Sequence, residues 1–113
     1  MNEFDIILNG GYKGCCNIFP ASQLRMFLND WYSPKDKVTI TIIDIERDYW
    51  ESDELADYAF RKMGNECFPL VYLNDSLIAV SQFPDKSDLD EWLIKSPVIT
   101  KESFLLSGKN NEK

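Results

Sequence analysis

Three cysteines are the residues of this chain best suited to chemistry. Cys15 and Cys16 are adjacent, and Cys67 lies two residues before Pro69. A thiolate sulfur attacks disulfides and binds soft ions. The 113 residues contain no histidine, which excludes Ser-His and Cys-His dyads, His-ligated zinc and a histidine general base. Thiol chemistry is therefore the first hypothesis.

The cysteine pair follows a glycine-rich loop and precedes a predicted helix. Free backbone amides and the macrodipole at a helix N-terminus favour a thiolate, and Lys13 adds a nearby positive charge. We therefore expect Cys15 or Cys16 to have a pKa below the ~8.5 of a free thiol. The alternative is that the cysteines are small apolar packing residues. This alternative is stronger for Cys67 than for the pair.

Hydrophobic patterns predict four strands. Phe4–Leu8 reads as a buried strand, and Val38–Asp44 reads as an edge strand with one protected face. Two short strands, 70–73 and 77–80, surround Asn74-Asp75-Ser76, a tight turn in which Asn and Asp tolerate positive φ. These elements predict a sheet with a hairpin at one side.

Three amphipathic helices alternate with these strands. The first begins near residues 20–22, stops at Ser33-Pro34, and carries an apolar stripe of Leu24, Phe27, Leu28 and Trp31. The second has Ser52 as its predicted N-cap and ends at Gly64. The third runs from about Ser87 to Pro97. Right-handed crossovers make the first two strands parallel, and the hairpin adds antiparallel strands to the same sheet.

The order of elements and two motifs resemble the thioredoxin-like fold. Residues 67–73, Cys-Phe-Pro-Leu-Val-Tyr-Leu, resemble its cis-proline segment, and residues 78–84 resemble its fourth strand and exit. The resemblance implies a single β-α-β-α-β-β-α domain over residues 1–94, a four-stranded mixed sheet of order 2-1-3-4, and helices on both faces. It also implies a cis bond between Phe68 and Pro69.

Two small bacterial families within that fold are most similar. One comprises short cytoplasmic proteins of the YuzD type, proposed to be disulfide oxidoreductases, and it shares Cys16-Asn17 followed by Pro20. The other is the arsenical-resistance ArsD family of arsenite metallochaperones and weak repressors, and it shares the vicinal Cys15-Cys16 pair. The chain lacks the Cys-x-x-Cys of redox-active members.

The resemblance implies that the loop of Cys67 packs against the loop of Cys15 and Cys16. Cys67 is then a resolving thiol for the nucleophile, and Pro69, with Phe68, shapes a substrate groove. Alternatively, all three thiols bind a soft ion such as Cu(I) or trivalent arsenic. The expected function is thiol–disulfide exchange or a thiol relay with a protein or a small thiol. Whether the chain is an enzyme stays open, and no cofactor is expected.

Charge and composition limit the partners. The net charge is −7, which disfavours nucleic-acid binding through a general basic face. Without a membrane-length apolar run, the expected location is the cytoplasm, as a monomer or homodimer. Residues 95–113 form a more basic C-terminal extension that we expect to be partly disordered.

A third hypothesis is a non-catalytic interaction module. Its candidate surfaces are the C-terminal extension, the Tyr49-Trp50 pair and an acidic stretch that also offers ligands for a hard cation. A solvated loop and the acidic start of a helix explain that stretch more simply. Its carboxylates are those of Asp44, Glu46, Asp48, Glu51, Asp53, Glu54 and Asp57.

Overall fold

A computed structural model describes residues 2–13 and 17–102. These residues contain three α-helices, two short 3-10 helices (Pro34–Asp36 and Gly64–Cys67) and six strands, and two of the strands form a separate small hairpin. The elements are β1 (Asn2–Leu8), β2 (Tyr12–Lys13), β3 (Ile18–Phe19), α1 (Ala21–Leu28), β4 (Val38–Asp44), α2 (Glu54–Met63), β5 (Leu70–Leu73), β6 (Ser76–Val80) and α3 (Lys86–Ile94).

The main sheet has the order β4-β1-β5-β6. β1 and β4 are parallel, whereas β5 pairs antiparallel with both β1 and β6. The predicted mixed sheet of order 2-1-3-4 is therefore confirmed, and β4 is an edge strand as expected. The small hairpin of β2 and β3 was not predicted, because two-residue strands leave no periodic signal in a sequence.

Alternating side chains place a core on each face of the sheet. The α2-side core contains Ile7, Ala56, Ala59, Cys67, Leu70, Tyr72 and Leu77. The α1/α3-side core contains Phe4, Ile6, Leu8, Ala21, Leu24, Leu28, Ile42, Val71, Leu73, Ile78, Ala79 and Leu89. One helix therefore covers one face, and two helices cover the other.

The turn between β5 and β6 has the predicted chemistry. Asn74 and Asp75 have φ values of 50° and 71°, as a two-residue hairpin turn with positive φ at both centres requires. β6 begins one residue earlier than predicted, at Ser76. A β-bulge between Val71 and Tyr72 shifts the register of this hairpin.

Several helix boundaries correct the sequence predictions. Helix α1 ends at Leu28, so Trp31 lies beyond it, and Phe27 is 56% exposed instead of buried. The N-cap of α2 is Asp53, not Ser52, because its carboxylate accepts from the Ala56 amide at 2.8 Å. Asp85 caps α3, which therefore begins at Lys86.

The chain beyond α3 stays in contact with the domain as far as it is described. Ile99 packs against the α2-side core. Lys101 pairs with Glu54 at the start of α2 and lies over the ring of Tyr58. The folded body therefore extends past residue 94, whereas residues 103–113 of the predicted extension lie outside the described part of the chain. No helix in the described ranges is long and apolar enough to cross a membrane.

Candidate functional site

The loop after β1 is held by a buried carboxylate at the end of β4. Asp44 is 6% exposed, and it accepts hydrogen bonds from the amides of Gly10 (2.9 Å), Gly11 (2.7 Å) and Glu46 (3.0 Å). Burial opposes ionisation of Asp44, but these amides, together with Arg47, outweigh it and lower its pKa. The glycine-rich loop thus binds an internal anion.

Glycine is required at both positions of this loop. Gly10 and Gly11 have φ values of +83° and +82°, a region that L side chains rarely adopt. A Cβ atom on Gly11 would also lie 2.7 Å from the backbone oxygen of Phe19. The loop therefore closes tightly on β3.

The predicted nucleophiles, Cys15 and Cys16, lie outside the described residues. They belong to the connection between Lys13 and Ile18, which pair across the β2–β3 hairpin and are both exposed. Helix α1 begins only at Ala21. The expectation that the pair directly precedes the first helical turn is therefore corrected.

The physical reason is the extended chain between the pair and α1. Phe19 pairs with Tyr12, and Pro20 is the extended N-cap of α1, with φ −70° and ψ 157°. Because macrodipole effects fall off within the first turn, the dipole of α1 is no longer a direct argument for a low thiol pKa. Lys13 remains the nearest described cation in sequence.

Aromatic packing fixes the hairpin on the domain. The ring of Tyr12 lies 4.8 Å from that of Phe83 and 6.5 Å from that of Phe19, measured between centroids. All three residues pack against the α1/α3-side core. The hairpin therefore rests on the loop between β6 and α3.

Cys67 is a buried thiol on the other side of the sheet. It is fully buried in the α2-side core, and burial raises its pKa to about 11. The thiol is therefore protonated at neutral pH and shielded from solvent. These properties fit a packing residue and oppose the predicted resolving thiol or third sulfur ligand, because both roles require an accessible thiolate.

The segment after Cys67 is tied to the end of β6 and to α2. The Phe68–Pro69 peptide bond is cis; the proline is buried and Phe68 is half-buried. The Ser81 amide donates to the carbonyls of Cys67 (2.8 Å) and Pro69 (3.0 Å). The ring of Phe68 packs 6.4 Å from that of Phe60. Phe68 and Pro69, which were predicted to shape a substrate groove, therefore form an ordered unit beside α2.

A small cavity opens beside the hairpin, at the carboxyl ends of β1 and β4. Its volume is about 280 Å³, and ligands of open α/β sheets commonly bind at this end of parallel strands. Ile18 of β3 lines it. Its charged lining has both signs: Arg25, Arg47, Asp44, Glu46 and Asp48.

Several carboxylates of the acidic stretch make hydrogen bonds within the fold. Besides the Asp44 contacts, Asp53 also accepts from the Tyr72 hydroxyl (3.0 Å), and Asp57 accepts from Ser52 (2.5 Å). These bonds favour the loop-and-cap interpretation over a hard-cation site in the stretch. A different acidic group forms where Glu3, Asp5 and Asp75 bring carboxylate oxygens within 4.8 Å of one another.

The chain matches no protein-family model and no curated protein. Among solved structures, it is similar to a protein of unknown function from Staphylococcus aureus, with 19% identity and a TM-score of 0.51, over 84% of this chain and 94% of that one. It also aligns with an arsenical resistance operon trans-acting repressor from Bacteroides vulgatus, with 16% identity and a TM-score of 0.49, over 81% and 92%. The first likeness agrees with the fold and assigns no activity. The second carries no inference.

Proposed function

We propose that this chain is a thioredoxin-like thiol protein in which Cys15 or Cys16 exchanges disulfides without help from Cys67. The observation that supports this division is the complete burial of Cys67, with its pKa raised to about 11. The adjacent pair makes a poor internal disulfide, because its Cα atoms are too close for normal geometry. The proposed exchange therefore uses one thiol of the protein and one thiol of another molecule.

The exchange has two steps. The protein thiolate attacks a disulfide R–S–S–R′, forming a protein–S–S–R mixed disulfide and releasing R′–S⁻. A small thiol, as its thiolate, then attacks that mixed disulfide, restoring the protein thiolate and releasing R bound to the small thiol. These two steps exchange one disulfide for another, between R and the small thiol, without net reduction. A second molecule of the small thiol that attacks the sulfur of its own kind in this new disulfide releases R as its thiolate, and the two small thiols, now joined as a disulfide, have then supplied two electrons.

The cavity beside the hairpin supports a small thiol as the partner. Arg47 and Glu46 lie there beside the Arg25–Asp48 ion pair, so the cavity offers partners for both the ammonium and the carboxylate that an amino-acid-like thiol carries at neutral pH. This chemistry belongs in a reducing compartment such as the cytoplasm.

The test is mixed-disulfide exchange followed by mass spectrometry, with glutathione disulfide as the probe. We expect one of the two single substitutions, Cys15→Ser or Cys16→Ser, to abolish exchange. The matched control, Cys67→Ala, should retain it. Exchange that survives in the double Cys15→Ser, Cys16→Ser variant, or that needs Cys67, would contradict the proposal.

The second candidate is soft-ion binding by the vicinal pair alone. Two adjacent thiolates can chelate a thiophilic ion such as trivalent arsenic, and the burial of Cys67 reduces the predicted three-sulfur site to two sulfurs. Arsenite should then protect two thiols per chain from alkylation in both the wild type and Cys67→Ala. If neither exchange nor arsenite protection occurs, the interaction-module hypothesis takes precedence.

A further inference from the structure

A second cavity, which we call the α2 cavity, lies against helix α2. Its volume is about 260 Å³. Ala56 of α2 and Leu70 of β5 line it and are both buried, so the cavity reaches the α2-side core. It shares no lining residue with the cavity beside the hairpin. The α2 cavity is therefore separate from the site that the proposed thiol exchange uses.

Three aromatic side chains from different segments line the α2 cavity: Trp50 before α2, Phe60 within α2, and Phe68 before β5. The rings of Phe60 and Phe68 are tilted by 58° with their centroids 6.4 Å apart. The ring of Trp50 meets that of Tyr72 edge-on at 6.1 Å, and the Tyr72 hydroxyl is itself held by Asp53 at 3.0 Å. The wall is therefore rich in ordered aromatic rings, whose faces carry partial negative charge.

The charge of the lining has one sign. Among the described residues, Asp57 is the one charged side chain that lines the α2 cavity. Its carboxylate accepts from the Ser52 hydroxyl at 2.5 Å, and Ser52 also lines the cavity. This hydrogen bond holds the carboxylate beside the cavity without neutralising it. A ligand attracted both to aromatic faces and to a carboxylate is a cation.

We propose that the α2 cavity binds a small quaternary ammonium compound of the choline type. Aromatic rings that surround a cation within about 6 Å are a common means of recognising such groups. A quaternary ammonium carries no N–H, so it leaves the bond between Ser52 and Asp57 intact. A guanidinium or a primary ammonium carries several N–H donors, which would compete with Ser52 for the same carboxylate. The net charge of −7 also favours a cationic ligand.

The experiment is a titration of the isotope-labelled full chain with choline chloride, followed by NMR through the indole N–H signals. The chain has three tryptophans, and the loss of one signal in Trp50→Phe identifies that of Trp50. Trp31 and Trp92 pack against the α1/α3-side core, on the other face of the sheet, and serve as internal controls. We expect choline to shift the Trp50 signal to saturation and to leave the other two unchanged. A Trp50 signal that choline shifts no more than sodium chloride does, at equal ionic strength, would overturn the proposal.

A neutral isostere tests the role of charge. In this compound a tert-butyl group replaces the trimethylammonium group of choline, and we expect it to bind roughly fivefold more weakly. Asp57→Asn retains a side-chain oxygen for Ser52 and removes the charge. It should weaken choline binding by a similar factor and leave binding of the isostere unchanged. Equal affinity of the wild type for the two compounds would overturn the proposal in favour of a cavity for neutral apolar molecules.

Phe60→Leu tests the role of the aromatic wall. Phe60 is 50% exposed, so the variant should keep its fold, which circular dichroism checks, and should bind choline roughly threefold more weakly or worse. Phe27→Leu is the matched control, because Phe27 is 56% exposed on α1, and it should bind choline like the wild type. Equal losses of affinity in the two variants would contradict recognition by this wall.

Discussion

Asp44 shows how a single buried charge organises the candidate site. Its two carboxylate oxygens accept from Gly10, Gly11 and Glu46, so one side chain ties the end of β4 to the loop after β1. Such charge-assisted bonds are stronger than neutral ones. The conformation of the glycine loop that leads into β2 therefore depends on a residue with no thiol chemistry.

Replacing this carboxylate should cost stability. Asp44→Asn removes one acceptor oxygen and sets an NH₂ donor against backbone donors, so we expect a loss of about 2 kcal/mol in the free energy of unfolding. Urea denaturation measures it. Asp30→Asn, at an exposed position, is the control and should change stability by less than about 0.5 kcal/mol. Equal effects of the two substitutions would contradict the role of Asp44.

The same residue predicts a pH dependence. Because the folded-state pKa of Asp44 is lowered, its contribution is present above the unfolded value of about 3.9 and is lost as the pH falls toward the folded pKa. The stability difference between wild type and Asp44→Asn should therefore shrink on acidification below pH 4. Unfolding curves at several pH values measure it, and a constant difference would be inconsistent with this linkage.

Cys67 should be inert in the folded chain. In the double Cys15→Ser, Cys16→Ser variant it is the sole thiol, and its burial with a pKa of about 11 predicts negligible alkylation by iodoacetamide at pH 8. Complete alkylation is expected after unfolding in guanidinium chloride. Rapid labelling of the native variant, read by mass spectrometry, would show an accessible thiolate and restore Cys67 as a candidate resolving thiol.

At the scale of elements, the β5–β6 hairpin combines a favourable turn with repulsion between neighbouring carboxylates. Asn74 and Asp75 occupy positive φ, yet Asp75 also belongs to the acidic group with Glu3 and Asp5. Burial, followed by the charges of Glu3 and Asp75, raises the pKa of Asp5. Asp5 therefore opposes stability at neutral pH, and this effect is relieved as the pH falls and the carboxyl takes up a proton.

Substitutions at Asp75 can separate these two effects. Asp75→Asn keeps a residue that tolerates positive φ and removes the charge, so it should stabilise the fold by roughly 0.5 kcal/mol at pH 7. Asp75→Ala removes the same charge but places a poor residue at φ 71°, so it should be less stable than Asp75→Asn by about 1 kcal/mol. Thermal unfolding compares the two, and the reverse order would contradict the turn argument.

At the scale of the whole molecule, the sheet separates two packing environments. The β2–β3 hairpin packs on the α1/α3-side core, whereas Cys67 and Ile99 contribute to the α2-side core. The segment after α3 then contacts α2 through Lys101. Residues beyond the predicted boundary at 94 therefore pack against the α2 side of the domain.

Truncation tests this boundary. A chain ending at Lys95 loses the buried part of Ile99 and the Lys101 contacts, so we expect its unfolding free energy to fall by about 1–2 kcal/mol. A chain ending at Glu102 is the matched control and should resemble the full chain. Urea unfolding measures both. If the shorter chain is as stable as the full one, residues 96–102 add nothing to the fold.

The sequence by itself determined the order of the three helices and of the four strands in the main sheet, and it also determined the β5–β6 turn. Periodic apolar residues and residues that tolerate positive φ act over a few neighbouring positions, too few in the case of the two-residue strands β2 and β3. Only the tertiary structure decided that Asp44 holds the glycine loop and that Cys67 is buried away from the hairpin side of the sheet. Those outcomes depend on contacts between residues far apart in sequence: Asp44 lies 34 positions from Gly10. A local sequence pattern does not indicate which distant residues a carboxylate or thiol contacts. Those residues determine the pKa, the exposure and the chemistry of the group.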